Sequence, residues 1–364
     1  MRIAYIINSV EGGGAAFPVP AVAAALRSHG VDVEIFALTR RDGRAIPAMA
    51  DAGLSVHVRD GGETDHWAAY RWLRPMLGQY KPDAVWTSLT RATLLGQVAA
   101  AAQRIPVISW QHAAYLRAAN RRLLRLRRNQ SALWLADSCS VADFSRKALG
   151  IPTDRLVVWP IFAADPDAPV AAPWTGQEPL RIGTLGRLHP VKGYDVLLAA
   201  IKILRQRNPA PRAFQLTIGG TGAEHGTLQA QILEAGLDDV TLAGFVGDPT
   251  AFLANQHLYV QPSRSEGFCI AAHQAMQAGL PVIGSAVGEM SRSIVDGVTG
   301  RLAIPGNPVS LASAIFESLE HAADLHRMGF SARRRLFEHY SRDRFNQIAG
   351  EILRRLDDLS RQVR

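Results

Sequence analysis

Glu266 stands between a short apolar run, Leu258-Tyr259-Val260, and a small-residue helix closed by Gly279, after which Pro281-Val282-Ile283 starts a second apolar run. The first turn of such a helix carries N–H groups with no intrahelical acceptor, so the strand end becomes an anion site. A carboxylate beside an anion is costly unless it accepts hydroxyl hydrogen bonds, and sugar hydroxyls are one such partner. The local chemistry fits a sugar attached to a phosphate. Upstream, a strand ends in Gly186-Arg187, and Lys192-Gly193 stands at the start of a helix from Tyr194 to Arg207. Arg187 supplies a forked permanent cation and Lys192 a compact one, a pair that balances a diphosphate and stabilises it as it leaves. Gly12, Gly13 and Gly14 lie between the first strand and the first helix, where the missing side chains allow close backbone approach to phosphate. Their spacing is not G-x-G-x-x-G, so a dinucleotide fingerprint is absent.

Glu266 followed eight residues later by Gln274, then Ala275-Met276 and Gly279-Leu280-Pro281-Val282-Ile283, resembles the E-x7-E segment of retaining GT-B glycosyltransferases of the GT4 type. Gly186-Arg187-Leu188 with Lys192-Gly193 is similar to the G-R-L-x-x-x-K-G segment of the same family. The resemblance implies that Glu266 contacts the donor sugar, position 274 the nucleotide ribose, and Arg187 and Lys192 the donor diphosphate. Gly267, Phe268, Cys269 and Ile270, which lead into the helix, join that donor site. The sequence departs from the family at Gln274, which still donates to and accepts from a ribose diol but lacks the charge-assisted bond of a carboxylate.

The same resemblance places the Gly219-Gly220 turn near the nucleotide, Phe245 and Val246 around the base, and Gly12 to Gly14 in a first loop that closes over donor and acceptor. It implies that His112, just past the strand Pro106–Trp110, contacts the donor sugar or the acceptor near the reacting carbon. An Asn-Gly turn that relatives carry after the strand at Val157-Val158-Trp159 is missing, its place taken by Pro160 to Asp165. Glu289 reads equally as a donor contact, a helix N-cap or a surface residue.

The elements that must position these residues alternate. Strands read at Arg2–Ile7, Val31–Leu38, Leu54–Val58, Ala84–Thr87, Pro106–Trp110 and Leu133–Ser138, with helices at about Val19 to His29, Trp67 to Gln79 and Thr93 to Gln103. That rhythm predicts a parallel sheet with helices on both faces and ligands at the strands' carboxyl ends. The expected fold class is α/β, with the GT-B arrangement of two Rossmann-like, doubly wound domains facing a central cleft. The expected division is an acceptor domain at 1–165, a proline-rich linker at 166–179 and a nucleotide-sugar domain at 180–342. An amphipathic helix at 343–364 is expected to cross back to the first domain.

Length and composition are those of a two-domain globular α/β chain: 364 residues, 48% hydrophobic and 20% charged. Cys139 and Cys269 make no disulfide framework. No apolar run reaches the length of a membrane span, and the amino terminus enters a strand without a signal peptide's cleavage site. A cytoplasmic protein is expected. The net charge of +8 is concentrated: from Ala84 to Ala136 there is no Asp or Glu, while Arg117, Arg121, Arg122, Arg125, Arg127 and Arg128 fall in one short run. Leu116, Leu123, Leu124 and Leu126 interleave with them, a basic amphipathic pattern suited to the anionic inner face of a membrane. Nucleic acid is a distant second, since no helix-turn-helix, zinc-finger or RNA-binding signature is present.

The expected function is transfer of a sugar from a nucleoside-diphosphate donor to a glycan or lipid-linked acceptor of a bacterial envelope, with retention of configuration. A UDP-sugar is the first expectation for the donor and a GDP-sugar the second, with no metal and no further cofactor. No metal constellation and no Ser-His-Asp or Cys-His pairing stands out, and Cys269 reads as packing. Three rivals remain open, a sugar-nucleotide epimerase of the same fold, a non-catalytic nucleotide-sugar-binding protein and a basic nucleic-acid-binding protein.

Overall fold

The computed structural model describes residues 1–207 and 212–363, so Arg364, the end of the expected last helix, lies outside the described residues. The chain divides into two compact units, residues 1–163 with 342–364, and residues 164–341. The expected linker at 166–179 lies within the second unit, where Asp165 N–H donates to the Gln277 side chain at 2.7 Å and Ala171 N–H to the Ala278 carbonyl at 2.8 Å.

In the first unit the apolar runs become β1 (Arg2–Ile7), β2 (Asp32–Ala37), β3 (Ser55–Val58), β4 (Ala84–Ser88), β5 (Val107–Gln111), β6 (Leu133–Ala136) and β7 (Leu156–Val158). The intervening helices are α1 (Val19–Arg27), α2 (Ile46–Asp51), α3 (His66–Tyr80), α4 (Thr90–Ala101), α5 (Ala118–Arg127) and α6 (Cys139–Phe144). Every strand pairs in parallel, in the order β3-β2-β1-β4-β5-β6-β7. Pro18 and Pro20 at the head of α1 follow the fixed φ and missing donor of proline, which are tolerated only in a first turn. Helix α4 begins at Thr90, three residues before the sequence expectation, because Leu89 turns the chain sharply out of β4 at φ +75°.

In the second unit β8 (Leu180–Leu185), α7 (Tyr194–Arg207), β9 (Phe214–Gly219), α8 (His225–Glu234), β10 (Val240–Gly244) and α9 (Pro249–Ala254) come first. They are followed by β11 (Leu258–Gln261), α10 (Ile270–Gln277), β12 (Val282–Ser285), α11 (Met290–Ser293), β13 (Gly300–Ala303), α12 (Pro308–Glu320) and α13 (Leu325–Tyr340). The sheet order is β10-β9-β8-β11-β12-β13, again parallel throughout. Leu197 and Ile201 of α7 and Ile315 and Leu319 of α12 are buried on one face with Ile182, Leu216 and Ile218 of the strands. Each sheet reverses its order once, between β1 and β4 and between β8 and β11. Such switch points leave a crevice beyond the strand ends that no crossover helix covers.

The last helix, α14 (Arg342–Val363), belongs to the first unit. Phe345, Ala349, Ile352, Leu353 and Leu356 form its buried stripe at helical spacing. Full burial of a side chain of the Phe, Ile or Leu kind contributes roughly 1.5–3 kcal/mol. Phe345 packs on Trp159 with ring centroids 4.8 Å apart, and Trp159 stacks on Trp110 at 4.9 Å. Thus the chain's final segment is anchored on the strand ends of the first unit.

Candidate active site

At the switch point of the second unit, the segment after β8 carries Gly186, Arg187 and Lys192, and the segment after β11 carries Glu266. Adjacency of the two strands brings the segments together, and Gly193 lets them touch. It has φ +69°, and a Cβ there would sit 2.1 Å from the Pro262 carbonyl. Arg264 closes the seam, donating from its backbone to the Val191 carbonyl at 2.8 Å and from its guanidinium to Pro190 and Asp195.

Lys192 Nζ then lies 2.7 Å from Glu266 Oε1, with both side chains largely buried. Ser263 Oγ donates to the same oxygen at 2.6 Å, so both bonds end on Oε1 and leave Oε2 outside them. Burial works against the Lys192 charge, but the adjacent Glu266 carboxylate outweighs it and the ammonium is held above its usual range. Arg187 is exposed and near enough to push against that charge. Breaking a partly buried pair of this kind costs more than its net worth, because the remaining charge is left unpaired.

The glycines expected at the donor site come together for a packing reason. Gly220 has φ +146°, and a Cβ on it would lie 1.9 Å from the Gly186 carbonyl. A Cβ on Gly219 would meet Leu185 and Val246, the latter at 2.7 Å, which also places Val246 beside this turn. Phe245, next in line, is exposed. These glycines let three strand ends approach with no side chains between them.

The turn from Gly267 to Ile270 is held from behind. Glu289 N–H donates to the Gly267 carbonyl at 2.9 Å. Cys269, at φ +67°, precedes the first residue of α10; burial pushes its thiol well up, and the Glu266 carboxylate adds to this. A free thiol held neutral is no nucleophile. Phe268 stacks on the buried His273 at 3.9 Å, and His273 bonds the Cys269 carbonyl through Nδ1 at 2.9 Å and Ser293 Oγ through Nε2 at 2.8 Å. Tyr340 bonds both Ser293 and Glu289 at 3.1 Å. Glu289 is therefore a buried support, correcting the surface alternative. Gln274 is half-buried one turn along α10.

In the first unit, Gly12 N–H donates to Asp42 Oδ1 at 2.9 Å, and Gly13 caps a turn leading to Phe17; Gly14 is exposed. His112 follows β5. Its Nε2 lies 2.8 Å from Ser88 Oγ at the end of β4, and its Nδ1 lies 3.2 Å from Asp137 Oδ2 just after β6. A Ser–His–Asp arrangement is thus present, where the sequence showed no such pairing. Ser88 is fully buried, so its hydroxyl is not presented as a nucleophile. The three residues leave three adjacent strands, and spacing along the chain could not reveal them.

Helix α5 buries Leu124, while Leu123 and Leu126 stay exposed beside Arg117, Arg121, Arg122 and Arg125. None of these four arginines makes an ion pair among the described residues. Arg127 and Arg128 do not share that surface. Both are half-buried, Arg127 donating to Gln97 at 3.1 Å and Arg128 to the Arg125 carbonyl at 2.8 Å. No helix of the described residues is long and apolar enough to cross a membrane.

Sequence and fold comparisons speak to the family and the fold. Residues 12–162 match the model of glycosyltransferase family 4, and residues 179–321 that of the glycosyl transferases group 1. A D-inositol 3-phosphate glycosyltransferase of Arthrobacter sp. (strain FB24) is 27% identical, with 90% of this chain and 89% of the relative covered. The amylovoran biosynthesis glycosyltransferase AmsK of Erwinia amylovora is 30% identical over 49% of this chain and 46% of its own length. The match with AmsK thus spans about half of that relative. Among solved structures, Anabaena HepE in complex with UDP-glucose superposes with a TM-score of 0.85 at 20% identity, covering 97% of this chain and 99% of HepE. Sucrose-phosphate synthase from Thermosynechococcus elongatus gives 0.81 at 19% identity, covering 98% and 99%. With two parallel-sheet Rossmann-like units, a matching family model on each, and Lys192 and Glu266 joined at the second switch point, the chain belongs to the GT4-type glycosyltransferases of GT-B fold.

Proposed function

We propose that the protein transfers a sugar from a nucleoside-diphosphate donor to a hydroxyl of a glycan or lipid-linked acceptor, with retention and without a metal. The Lys192–Glu266 pair at the head of α10, with Arg187 beside it, is the observation that carries this reading. The two cations receive the diphosphate, and the first-turn N–H groups of α10 add partial positive charge. Glu266 accepts from a sugar hydroxyl. In the reaction the bond from the anomeric carbon to phosphate oxygen breaks and a bond to the acceptor oxygen forms. The acceptor's proton passes to the departing phosphate on the same face, whose developing charge Arg187 and Lys192 stabilise.

A UDP-sugar is the first choice of donor, supported by the structures of HepE with UDP and UDP-glucose. An envelope glycan is the proposed product. AmsK acts in amylovoran biosynthesis, and the similar fold of WaaB belongs to a lipopolysaccharide outer core galactosyltransferase. The arginines and exposed leucines of α5 suit an anionic lipid surface on which such an acceptor is held.

Thermal unfolding with UDP, GDP, ADP and TDP, on wild type and Lys192→Ala, tests the reading. A stabilisation by one nucleotide that disappears in the variant is expected. No stabilisation by any of the four, with or without acceptor glycan, sinks the proposal.

A further inference from the structure

A buried parallel strand is ordinarily apolar on both faces, yet β11 and its extension place Tyr259, Gln261 and Ser263 at alternate positions, each with no exposed surface. Alternate residues share one face of a strand. Three polar groups in the middle of a sheet are costly unless every one is satisfied. Here each satisfies the next. Leu185 N–H donates to the Tyr259 hydroxyl at 3.1 Å, Tyr259 lies 2.8 Å from Gln261 Oε1, Gln261 Nε2 lies 2.9 Å from Ser263 Oγ, and Ser263 lies 2.6 Å from Glu266 Oε1.

The chemistry of the last group fixes the direction of the whole file. Beside the Lys192 ammonium the Glu266 carboxylate is an acceptor, so the Ser263 hydroxyl must donate to it. The single Ser263 proton being used, its oxygen accepts from an N–H of Gln261. That sets the orientation of the Gln261 amide and turns its carbonyl oxygen to Tyr259, whose hydroxyl then donates. Hydrogen bonds aligned head to tail polarise one another. Glu266 itself sits in the irregular segment between β11 and α10, where no helix or strand ladder holds its backbone.

We infer that Tyr259, Gln261 and Ser263 are positioning residues: they extend the rigid β11 strand as a side-chain file that fixes Glu266 Oε1 and keeps Oε2 for the donor sugar. The inference rests on the proposed role of Glu266 as the sugar contact. It assigns a function to residues that do not touch the donor. Fixing one carboxylate oxygen from two sides confines the other to a small arc, which is what orientation of a reacting sugar requires.

The test compares Ser263→Ala, Ser263→Thr and Tyr259→Phe in two measurements, a crystal structure of each variant and the kinetics of transfer with the nucleotide sugar whose base the four-nucleotide panel identifies. In Ser263→Ala the Glu266 carboxylate is expected to leave its place beside Lys192, and kcat to fall roughly tenfold or more, the scale of a lost hydrogen bond to a charged group. Affinity for the nucleoside diphosphate that the panel identifies, without the sugar, is expected to stay within about twofold, because the file is fully buried. Ser263→Thr, which keeps the hydroxyl, is expected to restore kcat, and Tyr259→Phe to give a smaller loss in the same direction. A Glu266 that keeps its position in Ser263→Ala overturns the inference, as does a loss of nucleoside-diphosphate affinity equal to the loss of kcat. Glu266→Ala separates the two levels: full turnover there overturns the donor reading itself. Normal turnover in Ser263→Ala beside an inactive Glu266→Ala overturns only the positioning file.

Discussion

Glu266 and His112 both stand just beyond a strand end, one in each unit, and each is gripped by protein groups, the Cys269 thiol adding to Lys192 and Ser263 on Glu266. Lys192 and Ser263 meet on a single oxygen of Glu266, and the second oxygen stays outside those bonds. Ser88 and Asp137 take the two nitrogens of His112, and an imidazole has no third. A carboxylate can therefore be held firmly and still act, whereas an imidazole bonded at both nitrogens has to give up a partner before it can meet a substrate. Chemistry is accordingly expected to depend on the second unit's charged pair, and shape on the first unit's histidine.

The sharpest way to break that contrast is to replace each residue with an amide. Glu266→Gln removes the charge that offsets Lys192 and weakens the bonds to Ser263 and to sugar. Turnover is expected to fall about a thousandfold, the scale of a preorganised electrostatic contact. His112→Asn is expected to lose far less, about tenfold, on the argument that its nitrogens are already used. Steady-state rates at saturating donor measure both. Equal losses at the two positions would show that His112 releases one of its partners during the reaction, and the contrast between the sites would collapse.

A second pair of residues extends the comparison to pH. His273, in the second unit, has the same two-sided grip as His112, with the Cys269 carbonyl at Nδ1 and the Ser293 hydroxyl at Nε2. Burial pushes His273 down to about 4, the hydrogen bond to the Cys269 carbonyl opposing it. The folded state thus keeps it neutral where the unfolded chain binds a proton. Stability is complete above the unfolded value, about 6.5, and is lost as pH falls from there through 4. The full loss is roughly 3 kcal/mol by that shift. Chemical denaturation at pH 7 and pH 4.5 should show the loss in wild type and a smaller one in His273→Gln, whose amide does not titrate. An identical pH response in the two proteins would place the sensitive groups elsewhere.

What the sequence made readable follows from how each feature is encoded. Strands such as Arg2–Ile7 and Leu133–Ala136 are short, largely apolar runs separated by helical stretches, so the alternation of elements could be read directly. Glu266 and Lys192 are far apart in the chain, yet each belongs to a compact segment with its own spacing, and the adjacency of β8 and β11 joins them. Ser88, His112 and Asp137 carry no such local mark, because their relation exists only across neighbouring strands. The file Tyr259, Gln261 and Ser263 did leave a trace. Polar side chains alternate with Leu258, Val260 and Pro262 along this stretch, a pattern written in the sequence itself. Arg127 and Arg128 illustrate the opposite error: charge alone suggested a surface face, whereas their long apolar stems and local acceptors draw them inward.

The smallest expected effect concerns Asp137, and it decides what part His112 plays. Asp137→Asn keeps the shape and one acceptor oxygen for His112 Nδ1 while removing the charge. If His112 serves only to hold position, the amide oxygen replaces the carboxylate adequately, and kcat should fall by no more than about tenfold with the pH–rate profile unmoved. If His112 takes up a proton during transfer, the lost carboxylate would no longer stabilise the imidazolium, and the rate would fall about a hundredfold or more with a displaced acid limb. Ser88→Ala sharpens the outcome, since it frees Nε2 without touching the charge. A rate gain in Ser88→Ala together with a large loss in Asp137→Asn would make His112 a base. Small losses in both would leave the chemistry with Lys192, Arg187 and Glu266.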